Sequence, residues 1–424
     1  MVIEGCVEVL VRRLPFYVDF AIPRFWPEEG RVSISKFMVD QLKCFLKKIK
    51  MDCQTYRISN ISNTPPTNVE QLAKSIKSLP PDLRRKIFSL LPYAAVKSFK
   101  TPYLVYWLNG RPDIGLDEMG LTTAEMDTLL QRCGNGLRHA FITVNGAEFT
   151  QCVVNLTGLT SLSIAPNVPN ACQVLRIAEK TNLSSLALMN HSANATELHG
   201  LSLLPHLKSL NLAWHQFQIE EFEAVVALTG LTCLNLESQR SNDFILQIGK
   251  LIALPHLIEL DLSNNSGEAV LEVTRLTRLL KLNVSECSLK TAQATSIAAL
   301  PQLTCLNLKL NYLEFPGPMF NVNTSLRVLN LSHCGLGTLP RLSHLGHLTE
   351  LNYSQNLHSA NVLTQLAQLT QLKVLTYTQF EGHIGHLINT INKLPHLAYL
   401  NIGDNVVKHR LATIYPDLVV TIKS

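Results

Sequence analysis

From residue 159 to the end of this chain one spacing recurs: a leucine, an aliphatic residue three positions on, and another two beyond that. The copies are Leu159-Leu162-Ile164, Leu183-Leu186-Leu188, Leu207-Leu210-Leu212, Leu231-Leu234-Leu236, Leu257-Leu260-Leu262 and Leu279-Leu282-Val284. They continue as Leu303-Leu306-Leu308, Leu326-Leu329-Leu331, Leu348-Leu351-Tyr353, Leu372-Leu375-Tyr377 and Leu397-Leu400-Ile402. The first leucines are 24, 24, 24, 26, 22, 24, 23, 22, 24 and 25 residues apart. No other feature restricts the fold as much. The fourth and sixth positions turn to one side, as the period of two of a short strand requires. A single strand of this length cannot bury that face, so the copies must stack, each on its neighbours. Length alone would suggest two or three domains, an inference that a tandem array removes.

The segments between the copies repeat as well. Three positions past the sixth stands a polar or thiol residue: Asn167, Asn265, Cys287, Asn311, Cys334, Asn356, Asn405. The returns read Leu204-Pro205-His206-Leu207, Leu254-Pro255-His256-Leu257, Leu300-Pro301-Gln302-Leu303 and Leu394-Pro395-His396-Leu397. Helix-like stretches precede them, as at 292–300 and 362–369, and proline ends the helix and sets the chain extended for the next strand. Spacing, inward asparagine and return together resemble leucine-rich repeats of the ribonuclease-inhibitor type. The resemblance implies an α/β solenoid: a curved parallel sheet with short helices on its convex side, and an asparagine whose amide bonds the backbone where the chain leaves each strand. Residues 121–144 read as an earlier, degenerate copy, with Ala140 where leucine is expected. Their segment Thr128-Leu129-Leu130-Gln131-Arg132-Cys133 and the residues after it resemble the cysteine-containing repeats of F-box proteins. Residues 415–422 read as a closing strand. The two prolines of 315–320 predict an irregular loop on the convex side.

Charge divides the chain. Residues 1–110 hold 17 Lys/Arg against 9 Asp/Glu, a balance of +8, and the remaining residues hold 20 against 23, a balance of −3. Three regions follow: 1–68, basic and ending in the linker-like 58–68; 69–115; and the repeat domain 116–424. Within 32–51, Met38, Leu42, Phe45, Leu46 and Ile49 fall on one helical stripe among Lys43, Lys47, Lys48 and Lys50. Such a helix either docks its stripe on the fold with a solvated lysine face or contacts a membrane surface or nucleic acid. The docked helix is the expectation here.

After the linker the chain reads Leu79-Pro80-Pro81-Asp82-Leu83-Arg84-Arg85-Lys86-Ile87-Phe88-Ser89-Leu90-Leu91-Pro92. Leu83, Ile87, Phe88 and Leu91 share one helical stripe, and Pro81 suits a first helical turn. The order Leu-Pro, acid, Leu, Ile-Phe, Leu-Pro resembles the opening of an F-box, with Val96 and Phe99 in its second helix and Trp107 displaced from the family's later tryptophan. The cysteine that often precedes that tryptophan is missing. The resemblance covers about 30 residues, and F-box followed by leucine-rich repeats is itself a family architecture. It implies that Leu79, Pro80, Leu83, Ile87, Phe88, Leu91, Val96 and Phe99 dock a Skp1-like protein through residues 79–100. The chain would then be the substrate-recognition adaptor of a cullin ubiquitin ligase. The alternative is a non-enzymatic scaffold in which 79–100 only caps the solenoid. Bacterial effectors delivered into eukaryotic cells share this design, which would place the chain in a host cytosol.

Target binding is expected on the concave face. Position five is nearly constant, with Asn211, Asn235, Asp261, Asn283, Asn307, Asn330, Asn352 and Asn401, and reads as side-chain ladders along the sheet. Variable positions carry the candidate contacts: Glu259, Lys281, Glu350 and Tyr399 at position three, Met189, Glu237 and Lys309 at position seven. Trp214, Glu286 and His333 lie just beyond. An exposed tryptophan among mixed charges suits a protein partner. The face is not strongly basic, so a nucleic-acid partner is not expected.

Other classes fall away. Hydrophobic residues make up 46% of the chain, enough to bury a large core, so wholesale disorder is excluded. No uninterrupted apolar run reaches ~18 residues, so no membrane-spanning helix is expected. None of the ten cysteines forms C-x-x-C, and they read as reduced, mostly packed thiols of a cytosolic protein. No nucleotide-binding, metalloprotease or serine-hydrolase motif occurs, and His206, His256 and His396 share one slot of the return. No catalytic residue, metal or cofactor is therefore expected, and no enzymatic activity.

Overall fold

The computed structural model describes Leu108 and, within 122–421, all but 134–135, 143–157, 165–181, 191–197, 216, 218, 240–243, 245–246, 314–324, 339–341, 343–344, 358–359, 379–383 and 404. The F-box-like segment 79–100, the stripe in 32–51, the loop 315–320 and Asn167 lie outside the described residues. The chain divides into two compact units, 1–141 and 142–424.

In the first unit, the helix Thr123–Cys133 leads to β1 (His139–Ile142), which runs to the boundary. Leu129, Leu130 and Leu137 are buried, and Ala140 is buried too, in the slot where later copies hold leucine. The degenerate copy read in 121–144 thus has the helix-then-strand form expected of it.

In the second unit the leucine triplets become strands: β2 (Ser161–Ile164), β3 (Ser185–Leu188), β4 (Ser209–Asn211), β5 (Cys233–Asn235), β6 (Glu259–Asp261) and β7 (Lys281–Asn283). They go on as β8 (Cys305–Asn307), β9 (Val328–Asn330), β10 (Glu350–Asn352), β11 (Val374–Thr376), β12 (Tyr399–Asn401) and β13 (Val419–Thr421). Each strand pairs in parallel with the next, in chain order. The register sets fourth-position side chains opposite one another: Leu162 with Leu186, Leu186 with Leu210, and so on to Leu400 with Val420. A slip of one residue would turn every leucine to solvent. The fourth and sixth positions are buried almost completely, including Tyr353 and Tyr377, whose stacked rings stand 6.2 Å apart in place of two leucines. This is an α/β leucine-rich repeat solenoid, and the strand read in 415–422 is present as β13, the last of the described sheet.

The turn out of each strand is held twice. Eight residues two places past the sixth position have left-handed backbones: Asn190, Trp214, Ser238, Asn264, Glu286, Leu310, His333 and Gln355, with φ between 54° and 65°. A side chain there costs about 1 kcal/mol or more. The conformation extends the parallel ladder beyond the strand ends, since the Trp214 N–H reaches the Glu237 carbonyl at 2.8 Å and the Asn264 N–H that of Ser285 at 2.8 Å. One residue later comes the inward polar side chain. Asn311 Nδ2 donates to the carbonyls of Val284 and Leu308 at 2.9 and 2.8 Å, and its Oδ1 accepts from the N–H of Leu289 at 2.8 Å. Asn265 and Asn356 do the same, and Cys287 and Cys334 donate their thiols to Leu262 and Leu308 carbonyls at 3.2 and 3.1 Å. A buried amide is tolerated because its hydrogen bonds are made.

The returns are mixed. Helices span Ile219–Val226, Thr291–Ala298, Ala360–Leu366 and Ile384–Ile391, close to the helical stretches expected at 292–300 and 362–369. Other returns are 3-10 turns, Gly200–Leu203 and Ile248–Ala253, which end in extended Leu204 and Leu254 just before proline. Under β4 and β5 the core is aromatic: Phe217, Phe222 and Phe244 pack with centroids 5.6–6.4 Å apart, and the buried His215 ring lies 4.4 Å from Phe217.

Candidate functional site

The sheet face turned away from the core carries positions three, five and seven of each repeat. Position five has a use the sequence did not suggest. It reads as ladders along the sheet; instead, from β4 to β10, each side chain hooks its own backbone. The Oδ1 of Asn211 accepts the Ala213 N–H at 2.9 Å, Asn235 that of Glu237 at 2.8 Å, and Asn307 that of Lys309 at 3.1 Å. Asp261, Asn283, Asn330 and Asn352 bind the N–H and the hydroxyl of the serine two places on. The reason is local: a short amide or carboxylate reaches the N–H two residues ahead and holds the chain as it bends out of the strand. One lateral bond is seen, Asn283 Nδ2 to Asp261 Oδ2 at 2.9 Å. Asp261, a candidate contact, therefore has both oxygens engaged, one within its own repeat and one by the next.

With position five committed to the scaffold, position three varies. Its row runs Ser185, Ser209, Cys233, Glu259, Lys281, Cys305, Val328, Glu350, Val374, Tyr399 on adjacent strands. Lys281 and Glu350 are exposed and the rest half-buried. Lys281 Nζ pairs with Glu259 Oε1 at 2.6 Å, so two candidates neutralise each other across neighbouring strands. Burial pushes the Cys233 and Cys305 thiols above their ordinary value; a hydrogen bond from Ser209 opposes this at Cys233, and the Lys281 charge opposes it at Cys305. At the far end the Tyr399 hydroxyl accepts from Thr421 Oγ1 at 2.7 Å.

The rim where the strands end is lined by the left-handed residues. Trp214 leaves 40% of its surface exposed at φ 65°. Asn264, Glu286, Leu310 and His333 are exposed too, whereas Ser238, between Trp214 and Asn264 in the row, is buried. Beside that dip lies Glu237, half-buried, its carboxyl held above the usual carboxylate range by burial and then by the negative Asp261 and Glu286. Met189 and Lys309 are half-buried in the same row as Glu237. The candidate residues from Met189 to Tyr399 thus share one face and its rim. The signal that would have found the rim row, a positive φ at one repeat slot, has no fixed residue type.

Among the described residues no cluster of His, Cys, Asp and Glu suits a metal ion, and no helix is long and apolar enough to cross a membrane. His206, His256 and His396 are exposed on the returns, one per repeat.

No family model matches this chain, and no curated protein matches it. Among solved structures it is similar to an internalin from Listeria monocytogenes, with 18% identity, TM-score 0.41, and coverage of 65% of this chain and 82% of that one. It is also similar to the chain in a TLR13–ssRNA13 complex, with 19% identity and TM-score 0.45 over 66% of this chain. The match spans 44% of that second chain's length.

Proposed function

We propose that this chain is a protein-binding module without catalysis of its own, and that the open sheet face from β3 to β12 holds the partner. What supports this most is the division of labour along the strands. Position five is nearly constant and spends its polar atoms on the chain's own turns, while position three changes in charge, size and chemistry from one strand to the next. A stiff support bearing a varied row of side chains suits recognition of an extended macromolecular surface. Replacing Lys281 by Glu, Glu350 by Lys and Tyr399 by Ala together should weaken retention of the partner at least tenfold with far-UV circular dichroism unchanged. Full retention by the triple variant would remove the open face from the proposal.

The finer proposal adds a hand-over. Residues 79–100, through their likeness to an F-box, would dock a Skp1-like protein, and the open face would present its target to a ubiquitin ligase. Purified Skp1 should be retained by the wild type and lost with Leu83→Asp/Phe88→Asp. If the wild type retains none, the ligase role fails. If the double variant loses helicity instead, the same stripe is a cap of the repeat array.

A further inference from the structure

The rim at β4 and β5 differs from the rest of the face in one respect: a large aromatic surface stands beside carboxylates that no cation of the described residues neutralises. Among the described residues from β4 to β7, the face and rim carry Glu237, Glu259, Asp261 and Glu286 against Lys281. Lys281 is taken up by Glu259 at 2.6 Å. Glu237 is close enough to Asp261 and Glu286 to feel both, so the balance of the described residues here is negative. Trp214 and Glu237 sit on adjacent turns joined by the 2.8 Å hydrogen bond from the Trp214 N–H to the Glu237 carbonyl. That places the two residues on neighbouring turns of the same rim. The indole stays 40% exposed.

We infer that this rim takes an arginine-bearing basic segment of a partner protein, a guanidinium lying on the Trp214 ring and pairing with Glu237. Charge complementarity selects a basic partner segment. Geometry selects arginine over lysine, because a planar guanidinium can stack on an indole and fork toward a carboxylate at once. A half-buried carboxylate that gains such a partner recovers part of the cost of its desolvation. The inference rests on the open-face proposal above and names the chemistry of what docks at one end of it.

The test uses the full chain and a fluorescein-labelled peptide of alternating arginine and glycine, with its citrulline counterpart as the uncharged control. Fluorescence anisotropy at physiological salt should show binding of the arginine peptide and not of the citrulline one. Glu237→Gln and Trp214→Ala should each weaken it about tenfold, and Trp214→Phe, which keeps a ring, less than Trp214→Ala. Glu220→Gln, on the helix Ile219–Val226 and exposed, should leave affinity unchanged. Equal losses in all variants would mean diffuse charge attraction and overturn the inference; so would no loss at Trp214 and Glu237, or no binding by the wild type. None of these results bears on the triple variant Lys281→Glu/Glu350→Lys/Tyr399→Ala, which decides the open-face proposal separately.

Discussion

Asn311 Oδ1 accepts the backbone N–H of Cys287 at 3.2 Å, so a side chain of one repeat closes the turn of the repeat before it. The same oxygen takes the Leu289 N–H, and the Asn311 amide serves carbonyls of both repeats, at Val284 and Leu308. One amide therefore joins two turns. The junction between repeats is as much a polar object as an apolar one.

Removing that amide should cost more than its size suggests. Asn311→Ala orphans buried donors and acceptors on two repeats, with an expected loss of about 3 kcal/mol. Asn311→Asp should be no milder, because a carboxylate cannot donate to the Val284 and Leu308 carbonyls. Urea unfolding followed by circular dichroism checks both. A midpoint unchanged from wild type would mean that water replaces the amide at no cost.

Glycines in this chain separate by what surrounds them. A Cβ at Gly403 would collide with the Thr378 carbonyl oxygen, to which the Gly403 N–H also donates at 3.1 Å. Gly346 has open space around the same atom. Gly403→Ala should lose about 1–3 kcal/mol by forcing β11 and β12 apart, whereas Gly346→Ala should stay within about 0.5 kcal/mol of wild type. Comparable unfolding midpoints for the two variants would contradict the close approach.

The thiols should divide by location. Cys287 and Cys334 are buried in the turn slot and are pushed by burial up to about 11 from an ordinary 9.0. Cys233 and Cys305 stand half-exposed on the open face. Iodoacetamide at mildly alkaline pH, read by mass spectrometry, should label Cys233 and Cys305 well before Cys287 and Cys334. Early labelling of the turn cysteines would show that the turns open.

Those two buried thiols also give stability a slope with pH. Below about 9 they are protonated in both the folded and the unfolded chain. Between 9 and 11 the unfolded thiols ionise while the folded ones hold their protons. The unfolded state then binds fewer protons, so stability falls as pH rises through this window. The urea midpoint of the wild type should drop there, and that of Cys287→Ala/Cys334→Ala should drop less. Equal slopes would assign the alkaline loss to other groups, among them Tyr377, which burial pushes up to about 12.

Much of the fold was legible because a buried strand face has a strict chemical requirement. Leu186, Leu210, Leu234 and their counterparts must be apolar at fixed spacing, and spacing survives in sequence. The inward Asn265, Asn311 and Asn356 were legible for a similar reason, since few side chains supply both a donor and an acceptor at that reach. Gln239 and His215 fill the same slot, and both are buried there. Gln239 Nε2 meets the Leu212 carbonyl at 2.9 Å as an asparagine would, but its length hides it in the pattern. The hooks of position five were misassigned because an asparagine on a strand can bond sideways or forward, and only the bend of the chain decides which.

What the sequence determined by itself was the strand face, its register and the stack of repeats, because burying leucines every 22–26 residues leaves no other arrangement. What only the tertiary structure decided was which polar atoms remain for a partner. The rim row shows why: Trp214, Ser238, Glu286, Leu310 and His333 have no side-chain property in common and share only a left-handed φ. That φ is imposed by hydrogen bonds to the next repeat, and such bonds run between backbones, where residue identity leaves no trace.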